Sequence, residues 1–218
     1  MASGKTKVLK RYTSLSSAMD MLFRRKLTFL SPSSWQDKND TEYLEYYRKR
    51  RGFDTIHALC FTETPETFHH WQVFAGNNEG VCIEFSKELL IKKLQEEEFQ
   101  YGKVEYLKLV ELKELGRLEL KRLPYLKRWG FRDEKEFRAF KGGHEIEADL
   151  PNIDIDLSWI QQIRLNPWLK ENLADGIKVA LRSFPDCNKL KVTRSSLTDN
   201  AQWKQEVKRA IGGIRRRG

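Results

Sequence analysis

Residues 55–85 read TIHALCFTETPETFHHWQVFAGNNEGVCIEF, and this stretch decides the fold class. TIHALCFTET (55–64) has the β-branched and aromatic content of a buried strand. PETFHHWQVFAG (65–76) fits a helix, with Pro65 suited to a first turn and Gly76 to a C-terminal stop. EGVCIEF (79–85) is a second core strand. A strand, a short helix and a strand joined by tight links predict a mixed sheet with helices packed on it.

The same alternation extends in both directions. Upstream, KVLKRYTSL (7–15) is a strand, 16–27 a helix, LTFLSPSS (27–34) a strand entering a turn, and 35–54 a polar surface helix or loop. Downstream, SKELLIKKLQEE (86–97) is an amphipathic helix, and YGKVEYL (101–107) a strand. Residues 108–128 read as a basic helix interrupted near Gly116. Strands at 135–141, 158–167 and 188–197 flank a helix at 168–184. The expected architecture is a single α+β domain over 1–198 with a central sheet, followed by a basic C-terminal extension over 199–218. After Asp199 that extension carries Lys204, Lys208, Arg209, Arg215, Arg216 and Arg217 against Glu206 alone, and its GGIRRRG end is expected to fray.

Composition narrows the partners. With 218 residues and 39% apolar side chains, the chain can bury a real core. The net charge of +9 favours an anionic partner, nucleic acid or nucleotide. Three cysteines without a C-x-x-C pair argue against a disulfide framework and for a reducing, cytoplasmic setting. No apolar run approaches a membrane span, so no membrane partner is expected. His57, His69, His70 and His144 form no zinc pattern, and no metal site is expected. The Glu-x-Lys pairs in VELKEL and LELKRL sit in helical leucine spacing, which disfavours a metal nuclease.

Two features carry candidate chemistry. YYRKRR (46–51) and KRLPYLKRWGFR (121–132) interleave bases with aromatics, as single-strand binders do. Arg48, Lys49, Arg50, Arg51, Lys127, Arg128, Trp129 and Arg132 are the candidate nucleic-acid contacts; the competing reading is a solvated helix face. In EKEFR (134–138), an extended chain would put Glu134, Glu136 and Arg138 on one side. That pattern is either a catalytic carboxylate pair or a charged ion-pair edge, and alternation alone leaves both open.

Several segments resemble a bacterial family catalogued as domain of unknown function 2971: LKRY (9–12), SPSSWQD (31–37), CFTET (60–64), HHWQVFAGNNEGVCIEF (69–85), VEY (104–106), EKEFR (134–138), IRLNP (163–167) and TRSSL (193–197). The order of elements is also similar to the ADP-ribosyltransferase superfamily. That resemblance implies NAD as the ADP-ribosyl donor and a protein or nucleic-acid acceptor, in a toxin or phage-defence setting. It implies Glu136 and Glu134 as the catalytic carboxylates, with Arg11 on a donor phosphate. Tyr12 or Trp71 would stack on nicotinamide, and Thr62 and Thr64 would support the pocket wall. The other reading is a non-enzymatic nucleic-acid-binding module in which EKEFR is structural.

Overall fold

The computed structural model describes residues 7–75, 79–144 and 150–214. Its strands are β1 (Val8–Ser14), β2 (Lys26–Thr28), β3 (Thr55–Thr62), β4 (Gly80–Ser86), β5 (Gln100–Lys103), β6 (Glu105–Leu107), β7 (Leu126–Arg128), β8 (Glu136–Gly143), β9 (Asn152–Asp154), β10 (Ile160–Leu165) and β11 (Val192–Arg194). The α-helices are α1 (Leu15–Arg24), α2 (Lys38–Arg51), α3 (Phe68–Phe74), α4 (Lys87–Glu96), α5 (Leu109–Glu114), α6 (Glu171–Arg182) and α7 (Ala201–Ile214).

Seven strands form the central sheet in the order β11-β10-β4-β1-β3-β8-β5. Only β10 and β11 run parallel within it. In the 55–85 span the expected strand, helix and strand are β3, the shorter α3 and β4, and every residue of β4 is buried. Gly76, read as the helix stop, lies outside the described residues. The Thr67 hydroxyl caps α3 by accepting from the His70 N–H. Gly80 opens β4 under tight constraint, since a Cβ there would sit 1.7 Å from the Ala75 carbonyl oxygen.

The two sheet faces differ. One is covered by α1, α4 and α6, which bury Leu22, Leu90, Leu94 and Leu181 against Leu9, Leu59, Ile83 and Phe85. The other carries two separate clusters. Leu44 and Tyr47 of α2 pack on Ala58 and Phe140, while Trp71 and Ala75 pack on Tyr12 and Cys82. Between them the sheet itself parts. β1 pairs with β4 over seven positions but meets β3 in register only at Lys10–Thr62. Farther along that edge of β3, Ala58 bridges Leu30.

Several expectations need correction. Residues 101–107 are two strands in different sheets, because β5 joins β8 while β6 joins β7. Residues 108–128 are a six-residue α5, a 3-10 segment at Leu120–Tyr125 and β7. Gly116 takes a left-handed φ of 60°, and Pro124 cannot donate a helix hydrogen bond. The extension beyond 199 forms α7, which runs through the first three residues of the GGIRRRG end expected to fray; residues 215–218 lie outside the described residues.

Candidate active site

The parted sheet opens onto a cavity of about 360 Å³ between α2 and α3. Arg11, Tyr12, Thr62, Glu134 and Glu136 all line it, together with Lys10, Cys60, His70, Asp37, Asp40 and Lys127. Strand alternation explains the β3 and β8 contributions. Cys60 opposes Arg138 and Thr62 opposes Glu136, so these four side chains share the face turned away from the main core.

Glu134 arrives differently. A 3-10 turn spans Trp129–Glu134, and Lys135 closes it in the left-handed region, at φ 46° and ψ 47°. β8 therefore begins at Glu136, and Glu134 is not on the strand as simple alternation predicted. The reversal still brings the carboxylates together. Lys127 Nζ lies 2.6 Å from Glu134 Oε2 and 3.3 Å from Glu136 Oε2.

Behind them stands Arg138, which has no exposed surface. It donates from Nε to Glu136 Oε1 at 2.7 Å and from Nη2 to Glu136 Oε2 at 3.0 Å. It also forks onto both oxygens of Asp40 at 2.7 and 2.6 Å and donates to the Pro124 carbonyl. The Trp35 ring covers the guanidinium at 4.9 Å. This satisfaction is what makes a buried arginine tolerable.

The cluster thus holds three carboxyls (Asp40, Glu134 and Glu136) and two bases (Lys127 and Arg138). Its electrostatics push the two glutamates apart. Burial would raise Glu136, but Arg138 and Lys127 overcome it and hold the carboxylate down at about 2. Burial pushes Glu134 up to about 7, which Lys127 opposes without cancelling. Burial also raises the Cys60 thiol well above its usual range, and the Glu136 carboxylate beside it acts in the same sense. That thiol is therefore protonated and a poor nucleophile.

Two walls complete the cavity. Arg11 leaves β1 on the face opposite to Lys10 and Tyr12, and its Nη1 donates to the Cys60 carbonyl at 3.3 Å across the gap. No carboxylate pairs with Arg11 among the described residues. Lys10 likewise donates to a carbonyl, that of Thr64, at 2.8 Å. On the α3 side, the His70 ring stacks on Tyr12 with centroids 5.2 Å apart. Burial lowers the His70 pKa, so the ring is neutral at pH 7. Its Nε2–H donates to the Glu134 carbonyl at 2.9 Å, and Nδ1 accepts from the Thr67 hydroxyl at 2.6 Å.

The remaining expected residues are placed as follows. Trp71 is buried behind Tyr12, edge-on at 5.1 Å, and does not line the cavity. Its indole N–H donates to Glu66, which also accepts from Ser195. Thr64 lies just past the wall, its carbonyl held by Lys10, while the Thr62 hydroxyl donates to the Lys135 carbonyl. Lys127 belongs to the buried cluster rather than to a basic surface. Arg128, Trp129 and Arg132 are on the outside, with Trp129 41% exposed between Lys108 and Arg132. Arg48, Lys49, Arg50 and Arg51 end α2, about 12–21 Å along the helix from its cavity-lining Asp37 and Asp40 at 1.5 Å per residue. Arg48 is tied to Glu45 and to the Phe53 and Asp54 carbonyls, and four bases there offset the helix dipole.

Sequence reasoning missed Asp40, His70 and Trp35 as parts of the site. Asp40 meets Arg138 across 98 positions of chain, for which no local signal exists. Among the described residues, no group of three or more His, Cys, Asp or Glu could hold a metal ion, and no helix is long and apolar enough to cross a membrane.

A family model described as "Protein of unknown function (DUF2971)" matches residues 70–139. That span includes the HWQVFAGNNEGVCIEF, VEY and EKEFR segments through which the resemblance was drawn. No curated protein matches the chain. Among solved structures, Thermus sp. 2.9 DarT in complex with NAD+ is similar at 10% identity with a TM-score of 0.43. The same protein in complex with ADP-ribosylated ssDNA is similar at 13% identity with a TM-score of 0.44. Each alignment covers 88% of this chain, and 96% and 95% of those chains respectively.

Proposed function

We propose that the protein is an NAD-consuming ADP-ribosyltransferase. The observation that carries this reading is the convergence, in one cavity at the parted sheet, of an ionised Glu136, a Glu134 that titrates near neutrality and an Arg11 that has no acidic partner among the described residues. NAD is the substrate that supplies the ADP-ribosyl group, and the bond broken joins nicotinamide to the ribose C1′. The electron pair leaves with nicotinamide, and positive charge builds on the sugar. Glu136, anionic and fixed by Arg138, stabilises that charge at no cost of reorganisation. Glu134 takes the proton from the attacking acceptor, a task suited to a carboxyl that titrates near neutrality. Arg11 binds a donor phosphate, and Tyr12, held by His70, offers a ring to nicotinamide. A cavity of about 360 Å³ is at the small end for ligand sites. It suits the nicotinamide–ribose half, with the remainder along the rim.

The direct test is nicotinamide release from NAD by the full chain. Glu136→Gln should abolish release while circular dichroism shows a folded protein, and Arg11→Ala should weaken NAD binding. A wild-type protein that neither binds NAD nor releases nicotinamide would sink the proposal.

A second reading, a non-enzymatic nucleic-acid-binding module, has one observation in its favour. Trp129 stands exposed between two cations, as a base-stacking platform requires. Within the transferase reading the same residues would hold a nucleic-acid acceptor, because Phe131 and Glu134 of the same turn line the cavity. A toxin or phage-defence role in a bacterial cytoplasm follows if expression arrests growth and Glu136→Gln relieves the arrest.

A further inference from the structure

Two apolar faces, both remote from the cavity walls, have no part in the chemistry above. In α7, Trp203, Val207, Ala210 and Ile211 recur at i, i+4, i+7 and i+8 and make one stripe. Among the described residues nothing covers it: Trp203 is 71% exposed and Ile211 60%. The second face belongs to α6. Its inner side buries Ala174 and Leu181, whereas Leu173, Gly176, Val179 and Ala180 form an outer stripe, free of charge and open to solvent. Phe23 of α1, also 71% exposed, extends this stripe by packing on Phe184 just past the end of α6, with ring centroids 6.4 Å apart.

Contiguous apolar stripes of this kind mark contact surfaces, and these two suit each other. Gly176 and Ala180 leave a shallow groove beside Leu173 and Val179, into which Trp203 and Ile211 can pack as ridges. The α7 of the same chain does not fill it. The link from β11 is tied to the turn before α6: the Ser195 N–H donates to the Leu165 carbonyl at 2.9 Å and the Thr198 hydroxyl to the Pro167 carbonyl at 3.3 Å. From there α7 leaves the body with its stripe exposed.

We propose that the occupant is a second copy of this chain, with α7 of each protomer lying on the α6–Phe23 stripe of the other. Such an exchange of helices closes a two-fold dimer. Area favours the reciprocal arrangement. An aromatic side chain carries about 150–250 Å², so Trp203 and Phe23 expose roughly 200–350 Å² between them. The aliphatic side chains raise one contact to roughly 700 Å². One such contact falls below the roughly 1,200 Å² at which stable interfaces begin, and two exceed it. The inference is independent of the transferase reading.

Sedimentation of the full chain tests it. The protein should show twice the chain mass at micromolar concentration, where interfaces of this size associate. Val207→Glu and Val179→Glu each put a charge into both contacts and should raise the dissociation constant at least about tenfold, while circular dichroism shows both folded. Cross-linking identifies the faces, since Cys82 and Cys187 are buried and Cys60 can be replaced by serine. In that background a short bismaleimide should join Val207→Cys chains to Val179→Cys chains, and should not join Val207→Cys chains to one another. A monomer at every concentration overturns the proposal, and a monomer that binds phosphatidylserine vesicles assigns the α7 stripe to a membrane surface instead. A dimer that survives both glutamate substitutions, or that cross-links Val207→Cys to itself, uses another interface and overturns it equally.

Discussion

The Lys127 ammonium lies 2.6 Å from the Glu134 carboxylate, buried with it beside the cavity. The same ammonium reaches Glu136, so one cation serves two acids whose titrations differ by several pH units. Between those two values Glu136 is an anion and Glu134 carries a proton. With Glu134 protonated the five-membered cluster is neutral; with it ionised the cluster is one unit negative.

Activity should therefore rise with pH through about 7 as Glu134 becomes able to accept a proton. The pH profile of ADP-ribosyl transfer checks this, and Glu134→Gln should be slow and lack that limb.

Stability should carry the same signature. The Glu134 pKa is raised from 4.5 to about 7, so its contribution is complete below 4.5 and is lost as pH rises through 7. Glu136 is depressed to about 2, so its contribution is present above 4.5 and lost as pH falls toward 2. Thermal melts of the wild type should decline between pH 4.5 and 7, and Glu134→Gln should remove that decline.

Lys127→Met leaves both glutamates without their shared cation. Breaking a buried pair from one side costs about 3–5 kcal/mol, readable by denaturant titration. In any protein that remains folded, the activity limb should move to higher pH, because Lys127 is what keeps Glu134 from rising further.

Gly80→Ala tests the entry to β4. The added methyl would meet the Ala75 backbone at 1.7 Å, and backbone cannot turn aside as a side chain can. We expect a loss of about 3 kcal/mol or more, in line with overpacking and backbone strain. A near-neutral melt would show that the approach of these segments is looser than described.

Trp129→Ala tests the outer platform. Base stacking on an aromatic contributes about 1–3 kcal/mol per base, so single-stranded DNA affinity should fall by that amount. Arg132→Gln should in addition flatten the salt dependence. Neither change should alter NAD binding, since neither residue lines the cavity.

How much of this was legible beforehand follows from how local each signal is. The β3–α3–β4 unit was readable because its apolar runs, its caps and its turns all agree. Leu112, Leu115 and Leu118 have helical spacing, yet Gly116 and Pro124 broke the segment into three conformations. Glu134 and Glu136 were correctly paired for the wrong reason: the left-handed Lys135, not alternation, turns them together. Asp40 was unreadable as a site residue because its partners Arg138 and Lys127 are distant in sequence. Lys127, expected on a nucleic-acid surface, is instead drawn into the buried cluster by Glu134 and Glu136.

The single registered pair between β1 and β3 has a mechanical consequence. Hydrogen bonding makes the sheet two leaves, β5-β8-β3 and β1-β4-β10-β11, fastened near Lys10 and Thr62. Amide exchange should reveal the seam as early-exchanging protons along the β1 edge that faces β3, while the β4 edge of the same strand stays protected. A dinucleotide lying in the seam would act as a clasp, and its binding should slow exchange on both leaves together.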